Sequence, residues 1–136
     1  MLTLTKIFRF EAAHNLPYYY GSCHLLHGHS YKLEVTVLGL VNNDPENTKC
    51  GMIIDFKDLK KIVEEKVINI YDHSYLNDYF DNPTAENMVV QISHDIAKGL
   101  PTNVILRSCK LWETEDSYAE YYPVYQNAGN FLKSAT

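Results

Sequence analysis

Two stretches of this chain alternate apolar and polar side chains with the period of an extended backbone. Within residues 2–13, Phe8, Phe10 and Ala12 fall on one side, and His14 continues that side. Within residues 29–41, His29, Tyr31, Leu33, Val35 and Val37 share one side while Ser30, Lys32, Glu34 and Thr36 share the other. Both read as half-buried strands. The period then changes. Phe56, Leu59, Val63, Val67 and Ile70 recur at steps of three and four, which predicts a helix with one buried face, opened by Asp55 as N-cap. A second helix is predicted from the Thr84 cap through Ala85, Met88, Val89, Ile92 and Ile96 to Gly99 and Pro101. Strand patterning resumes over residues 103–113 and again over 117–126. The predicted order is ββααββ, an α+β fold whose antiparallel sheet carries two helices on one face. Residues 1–126 read as a single domain without repeats or linkers, and residues 127–136 as a polar, frayed tail.

The candidate chemistry lies between the first two strands. Cys23-His24-Leu25-Leu26-His27-Gly28-His29 places a thiol four residues before two imidazoles that share one face of an extended segment. His14 ends the inward face of the first strand and His29 begins that of the second, so antiparallel neighbours would bring His14, His27 and His29 to one end of the sheet. Neutral imidazole is the commonest protein ligand for metals, and three protein ligands with one open position is the pattern of a catalytic zinc. Cys23 admits three readings, a base beside the metal, a fourth ligand in a closed structural site, or both in turn, ligating when substrate is absent. His94 falls off the apolar stripe of the second helix and reads as a surface residue.

Composition narrows the partners. A chain of 136 residues can bury a core without disulfides, and its three cysteines, Cys23, Cys50 and Cys109, are odd in number and widely spaced, which suggests reduced thiols. The net charge of −5 argues against broad electrostatic binding to nucleic acid. No apolar run approaches the roughly 18 residues that span a bilayer, and the N-terminus lacks the pattern of a secretory signal, so the expected location is cytoplasmic. The expected partner is a small molecule. Eleven tyrosines suit a partly wet interface, and exposed sheet edges invite association with further copies of the chain.

Six separated elements then match one known family in order: Phe10-Glu11-Ala12-Ala13-His14, Cys23-x3-His27-Gly28-His29, Asp55-Phe56, Asp72-His73, Asn82-Pro83-Thr84-Ala85-Glu86-Asn87 and Glu113. From about Lys6 to Tyr121 the chain resembles the 6-pyruvoyl-tetrahydropterin synthase family, most of all its bacterial 6-carboxy-5,6,7,8-tetrahydropterin synthase branch. The resemblance implies a tunnelling fold, in which subunits pool their sheets into a barrel and two barrels stack as a hexamer with active sites between subunits. It implies Zn²⁺ held by His14, His27 and His29. Cys23 would be the catalytic base, Asp72 and His73 its partners in proton relay, and Glu113 the carboxylate that anchors the pterin. The implied substrate is 7,8-dihydroneopterin triphosphate, converted to carboxy-tetrahydropterin, acetaldehyde and triphosphate on the way to queuosine and other deazapurines.

The residue types suit that chemistry on their own terms. A metal with an open position acidifies vicinal hydroxyls and polarises a developing carbonyl. Cys23 serves as a base only as a thiolate, which a nearby cation favours. Glu113 could face the paired N–H donors of a pterin. Taken alone, Asp72-His73 also reads as an ordinary turn and Glu113 as one acid of a solvated loop. Glu86 and Thr84 read as helix-start residues, and Cys50 and Cys109 as structural. Lys6, Arg9, Lys32 and Arg107 are unranked candidates for the triphosphate. Two alternatives stay open: elimination of triphosphate to the pyruvoyl product without side-chain cleavage, and a zinc-stabilised domain without turnover.

Overall fold

A computed structural model describes residues 1–123, so the tail at 127–136 and the end of the last predicted strand, 124–126, lie outside the described residues. Strands β1 (Leu2–His14) and β2 (His27–Gly39) pair antiparallel along their whole lengths. Strands β4 (Val104–Thr114) and β5 (Ser117–Tyr121) extend the sheet beyond β2, again antiparallel. The sequence pattern did not reveal a fifth strand, β3 (Ser74–Tyr75), which lies parallel to β1 beside Ala12 and Ala13 and gives the order β3-β1-β2-β4-β5. The result is an α+β fold with a mostly antiparallel sheet.

The alternation decides which face is covered. Phe8, Phe10 and Ala12 of β1, Tyr31, Leu33, Val35 and Val37 of β2, and Leu106, Cys109 and Leu111 of β4 are buried together with Leu59, Val63, Val67, Met88, Ile92 and Ile96 of the helices. Full burial of one such side chain stabilises by about 1.5–3 kcal/mol.

Asp55 caps α1 (Phe56–Val63) by accepting from the Lys57 N–H, and Thr84 caps α3 (Ala85–Gly99) by accepting from the Asn87 N–H, as their positions before the apolar stripes predict. The helix after α1 departs from expectation. It passes through a π-helical turn, Glu64–Ile68, in which the Asn69 N–H reaches back to the Glu64 carbonyl, before ending as α2 (Asn69–Tyr71). A wide turn inserts one residue and rotates everything after it. Ile70, expected on the buried face, is therefore 39% exposed, and Tyr71 takes its place under Phe10 at 5%. Phe56, also expected inside, is 49% exposed at the helix start, with Lys6 above its ring.

Candidate metal centre

The register of the first hairpin assembles the histidines. His14 lies opposite His27, and Ala12 opposite His29, so all three rings project from the helix-covered face at the loop end of the hairpin. Their centroids stand 4.7, 5.0 and 4.8 Å apart, each pair edge to face. Glu113 joins them from β4. It shares parity with Leu111, which pairs with Leu33, and the β4–β5 register slips between Trp112 and Thr114. A bulge at that point re-aims a side chain, and the Glu113 carboxylate turns onto the histidines. The ligand atoms of His14, His27, His29 and Glu113 all lie within 4.8 Å of one another.

The hydrogen bonds fix what those atoms offer. His14 Nδ1 stands 2.8 Å from the Pro83 carbonyl oxygen, and His27 Nδ1 stands 2.7 Å from that of Leu25. A carbonyl only accepts, so each Nδ1 carries the proton and donates. Each Nε2 then presents a lone pair, and these two atoms are 3.1 Å apart. His29 Nε2 is buried and without a hydrogen-bond partner, although Glu113 Oε1 approaches to 2.9 Å, because the carboxylate lies off its hydrogen-bonding direction. Glu113 Oε1 is also 3.4 Å from His14 Nε2. The His14 and His27 Nε2 lone pairs and the Glu113 carboxylate are acceptors that repel one another at such distances, and a cation among them would remove the repulsion. The donor set, three imidazole nitrogens and one carboxylate, suits zinc and other divalent transition metals. The Nδ1–H···O=C bonds are the outer supports that orient such ligands.

Local electrostatics agree. Burial pushes the His29 pKa down, against the opposing pull of Glu113, so its ring stays neutral as a ligand must. Contact with His14 holds the Glu113 carboxyl below its ordinary value, outweighing its partial burial. Tyr31, 1% exposed, stacks on Phe10 at 4.9 Å and brings its hydroxyl to 3.3 Å from His14 Nδ1, with its own pKa driven up by burial.

Asp72 and His73 meet β1 from its outer edge. Asp72 Oδ1 accepts from the Glu11 N–H at 2.9 Å and Oδ2 lies 3.0 Å from His73 Nδ1, while the His73 N–H donates to the Glu11 carbonyl. The Glu11 hydrogen bond is the main reason the Asp72 pKa is lowered. His73 takes φ 59°, a left-handed conformation uncommon for a residue with a Cβ. It lines a shallow depression of about 400 Å³ with Glu11, Ala12, Ala13, Gly28, His29, Ser30 and Ser74. So Asp72-His73 is a turn, as its residues alone suggest, and one tied to the strand that ends in His14.

Asn77, whose part in the site went unread in the sequence, completes that tie. Its Oδ1 accepts from the Asn15 N–H at 3.0 Å and its Nδ2 donates to the Asn15 carbonyl at 2.9 Å, while the Tyr75 hydroxyl donates to Asn15 Oδ1 at 2.6 Å. Both backbone polar groups of Asn15, the residue after His14, are thereby held. Pro83, which stands just ahead of the Thr84 cap, also orients His14 through its carbonyl. The polar Asn77, four residues after His73, is the available clue in the sequence.

Cys23 sits in a short 3₁₀ turn, Ser22–His24, half-buried, and its backbone carbonyl accepts from the Leu16 N–H. Its sulfur is not among the four converging ligand atoms. Cys109 is buried, with its thiol pushed up to about 11 by desolvation, whereas Cys50, read as structural, is exposed. His94 is exposed, as expected. Among the cations considered for the triphosphate, Arg9 and Lys32 face each other across the hairpin on the sheet side opposite the histidines. Lys6 is on the correct side but eight residues from His14, about 26 Å along the strand.

The sequence profile for 6-pyruvoyl tetrahydropterin synthase matches residues 3–124. A Synechocystis protein named 6-carboxy-5,6,7,8-tetrahydropterin synthase is 37% identical over 125 residues, covering 90% of this chain and 94% of its own. A Pyrococcus furiosus protein named dihydroneopterin monophosphate aldolase is 44% identical over 88 residues, covering 65% of this chain and 70% of its own. The solved 6-pyruvoyl tetrahydropterin synthase of Caenorhabditis elegans superposes with a TM-score of 0.78 at 25% identity, covering 90% of this chain and 96% of that one.

Proposed function

Because this chain belongs to the 6-pyruvoyl tetrahydropterin synthase family, we propose that it is a zinc-dependent lyase acting on 7,8-dihydroneopterin triphosphate. In this reading it forms 6-carboxy-5,6,7,8-tetrahydropterin, acetaldehyde and triphosphate for queuosine and related deazapurines. The observation that carries the reading is the convergence of ring nitrogens of His14, His27 and His29, with the Nε2 lone pairs of His14 and His27 turned inward. Zinc bound there would supply Lewis acidity toward the hydroxyls of the substrate side chain.

The protein's own groups do the rest. Cys23 Sγ, as thiolate, takes the proton from the side-chain carbon next to the pterin. His73 accepts and returns that proton, with its Nδ1 held by Asp72 Oδ2. Glu113 receives the ring N–H groups. Family resemblance puts the active sites between subunits, so the Asp72-His73 turn of one copy would serve a neighbour. The open edges support that assembly. On its outer side β1 pairs as a strand only at Ala12 and Ala13 among the described residues, with the Asp72-His73 turn holding the Glu11 backbone, and this leaves the backbone from Leu2 to Phe10 free to pair. A hexamer built from two stacked barrels follows from the resemblance. A cytoplasmic protein is proposed from the sequence, and no helix among the described residues is long and apolar enough to cross a membrane.

The Pyrococcus relative's name favours one second reading, a retro-aldol cleavage of dihydroneopterin phosphate. That reaction would release a phosphorylated two-carbon aldehyde in place of acetaldehyde. One incubation with 7,8-dihydroneopterin triphosphate separates the outcomes. Acetaldehyde with triphosphate supports the carboxy product, triphosphate with a pyruvoyl compound and no aldehyde overturns it in favour of simple elimination, and a phosphorylated aldehyde overturns it in favour of the aldolase. Cys23→Ala separates enzyme from zinc-stabilised domain: retention of fold and zinc with loss of turnover supports the enzyme, and loss of zinc and stability supports the domain.

A further inference from the structure

The element Asn82-Pro83-Thr84-Ala85-Glu86-Asn87 opens α3, and the Thr84 cap uses only the backbone N–H of Asn87. The Asn87 side chain has a separate task. We propose that Asn87 is a positioning residue for His14, acting through the Asn82 carbonyl and the Pro83–Thr84 peptide; its bearing on zinc rests on the metal site proposed above. The Asn82 carbonyl accepts twice, from the Thr84 N–H at 2.9 Å and from Asn87 Nδ2 at 2.9 Å. The Thr84 N–H and the Pro83 carbonyl belong to one planar trans peptide, so they point in opposite directions. An N–H tied to Asn82 therefore aims the Pro83 carbonyl the other way, onto His14 Nδ1 at 2.8 Å. Proline suits the pivot, since its ring presets φ and limits how far the peptide plane can swing.

The aim of that carbonyl decides where His14 keeps its proton. His14 Nε2 stands 3.1 Å from His27 Nε2 and 3.4 Å from Glu113 Oε1, and both of these are acceptors. A neutral His14 free to choose would place its proton at Nε2, toward them, and the lone pair that a metal needs would be gone. The Tyr31 hydroxyl, 3.3 Å from Nδ1, does not prevent this, because a hydroxyl either donates or accepts. A carbonyl only accepts, so of these two partners only Pro83 requires the proton at Nδ1. His14 is fully buried, so bulk water does not stand in for that carbonyl. Asn87 is exposed, at the far end of the same chain of contacts, and can be changed without opening the core.

Nitrogen NMR of the histidine rings in the chelated protein, at one fixed pH, reads the proton directly. Wild type should show His14 as a single tautomer protonated at Nδ1, and Asn87→Ala should show the Nε2-protonated form mixed in. Against a chromophoric chelator, Asn87→Ala should release zinc about tenfold more readily than wild type, the lower end of what removing a ligand's support does. Asn87→Asp separates this effect from helix stability. An acid in the first turn favours the helix, yet it cannot donate to the Asn82 carbonyl. Its zinc should therefore leave as readily as from Asn87→Ala, while its thermal midpoint stays at or above that variant's. Asp55→Ala, which removes the cap of α1, should lower the midpoint with zinc release within about twofold of wild type. An unchanged His14 tautomer in Asn87→Ala overturns the proposal, and so does zinc release that merely tracks the midpoint across the three variants. If wild type binds no zinc the metal site falls, while a tautomer shift in Asn87→Ala still upholds the role of Asn87 toward His14.

Discussion

The Nε2 atoms of His14 and His27 stand 3.1 Å apart, while each ring's Nδ1 donates to a backbone carbonyl. Two lone pairs at that distance are held together by the fold, and a cation between them would relieve the repulsion. Purified without chelator, the protein should carry about one zinc per chain by elemental analysis. His27→Ala should lower that below half an equivalent and reduce any turnover at least 100-fold, since removing a ligand costs at least the 10–100-fold of removing a ligand's support.

Acid should act on the same cluster in two windows. The His29 pKa is depressed from 6.5 by burial, so the unfolded chain binds this proton more readily than the folded one. Its contribution to stability is complete above pH 6.5 and is lost as pH falls through the lower, folded value. The Glu113 pKa is depressed from 4.5, so its contribution is complete above that pH and is lost below it. Thermal unfolding of the chelated protein should therefore show a midpoint that falls between pH 7 and 5 and falls again below 4.5. Zinc retention should decline over the first window, because protons compete for the imidazoles. A midpoint flat from pH 7 to 5 would contradict the buried, neutral His29.

Asp72 has two oxygens with two tasks, one on the Glu11 N–H and one on His73 Nδ1. Asp72→Asn keeps an acceptor for the backbone but loses the charge facing the imidazole. We expect at least a 100-fold drop in turnover, the ordinary scale of proton-transfer assistance, with zinc content unchanged. Comparable zinc loss would instead make Asp72 a support of the metal strand.

The Asn77 amide satisfies both backbone polar groups of Asn15, directly after His14. Asn77→Ala leaves those groups partly buried and unpaired, and should destabilise by about 1–3 kcal/mol in urea unfolding. Asn77→Asp, which can accept but not donate, should recover part of that loss. Full stability in Asn77→Ala would mean that water replaces the clasp at no cost.

How far these features were legible follows from their periodicity. The strands ending at His14 and beginning near His29 repeat every two residues over 13 positions each, long enough for pattern to identify them and to place three histidines on one face. Asp55 and Thr84 announce their helices through local chemistry. What escaped had no period to show. Strand β3 has two residues and is defined by its neighbour, and the π turn is a single inserted residue whose effect, Ile70 outward and Tyr71 inward, appears only in three dimensions. Glu113 was readable as a strand-end acid, but its direction depends on a register slip against β5, and the carbonyls of Pro83 and Leu25 that orient the rings belong to backbone that no residue identity reveals.

His14 and His27 also bracket the segment that carries Cys23. They are partners across the hairpin at the two ends of one loop. A metal shared between them is a cross-link that closes a ring of about a dozen residues, and ring closure of that size, by a disulfide, removes roughly 3 kcal/mol of chain entropy from the open state. Within the ring, Tyr18, Tyr19 and Tyr20 are 75, 52 and 100% exposed, and the backbone hydrogen bonds that hold it are few. An ion acting on a substrate there would thus also tether the thiol loop, and withdrawing it should expose residues 15–26 to protease before the rest of residues 1–123.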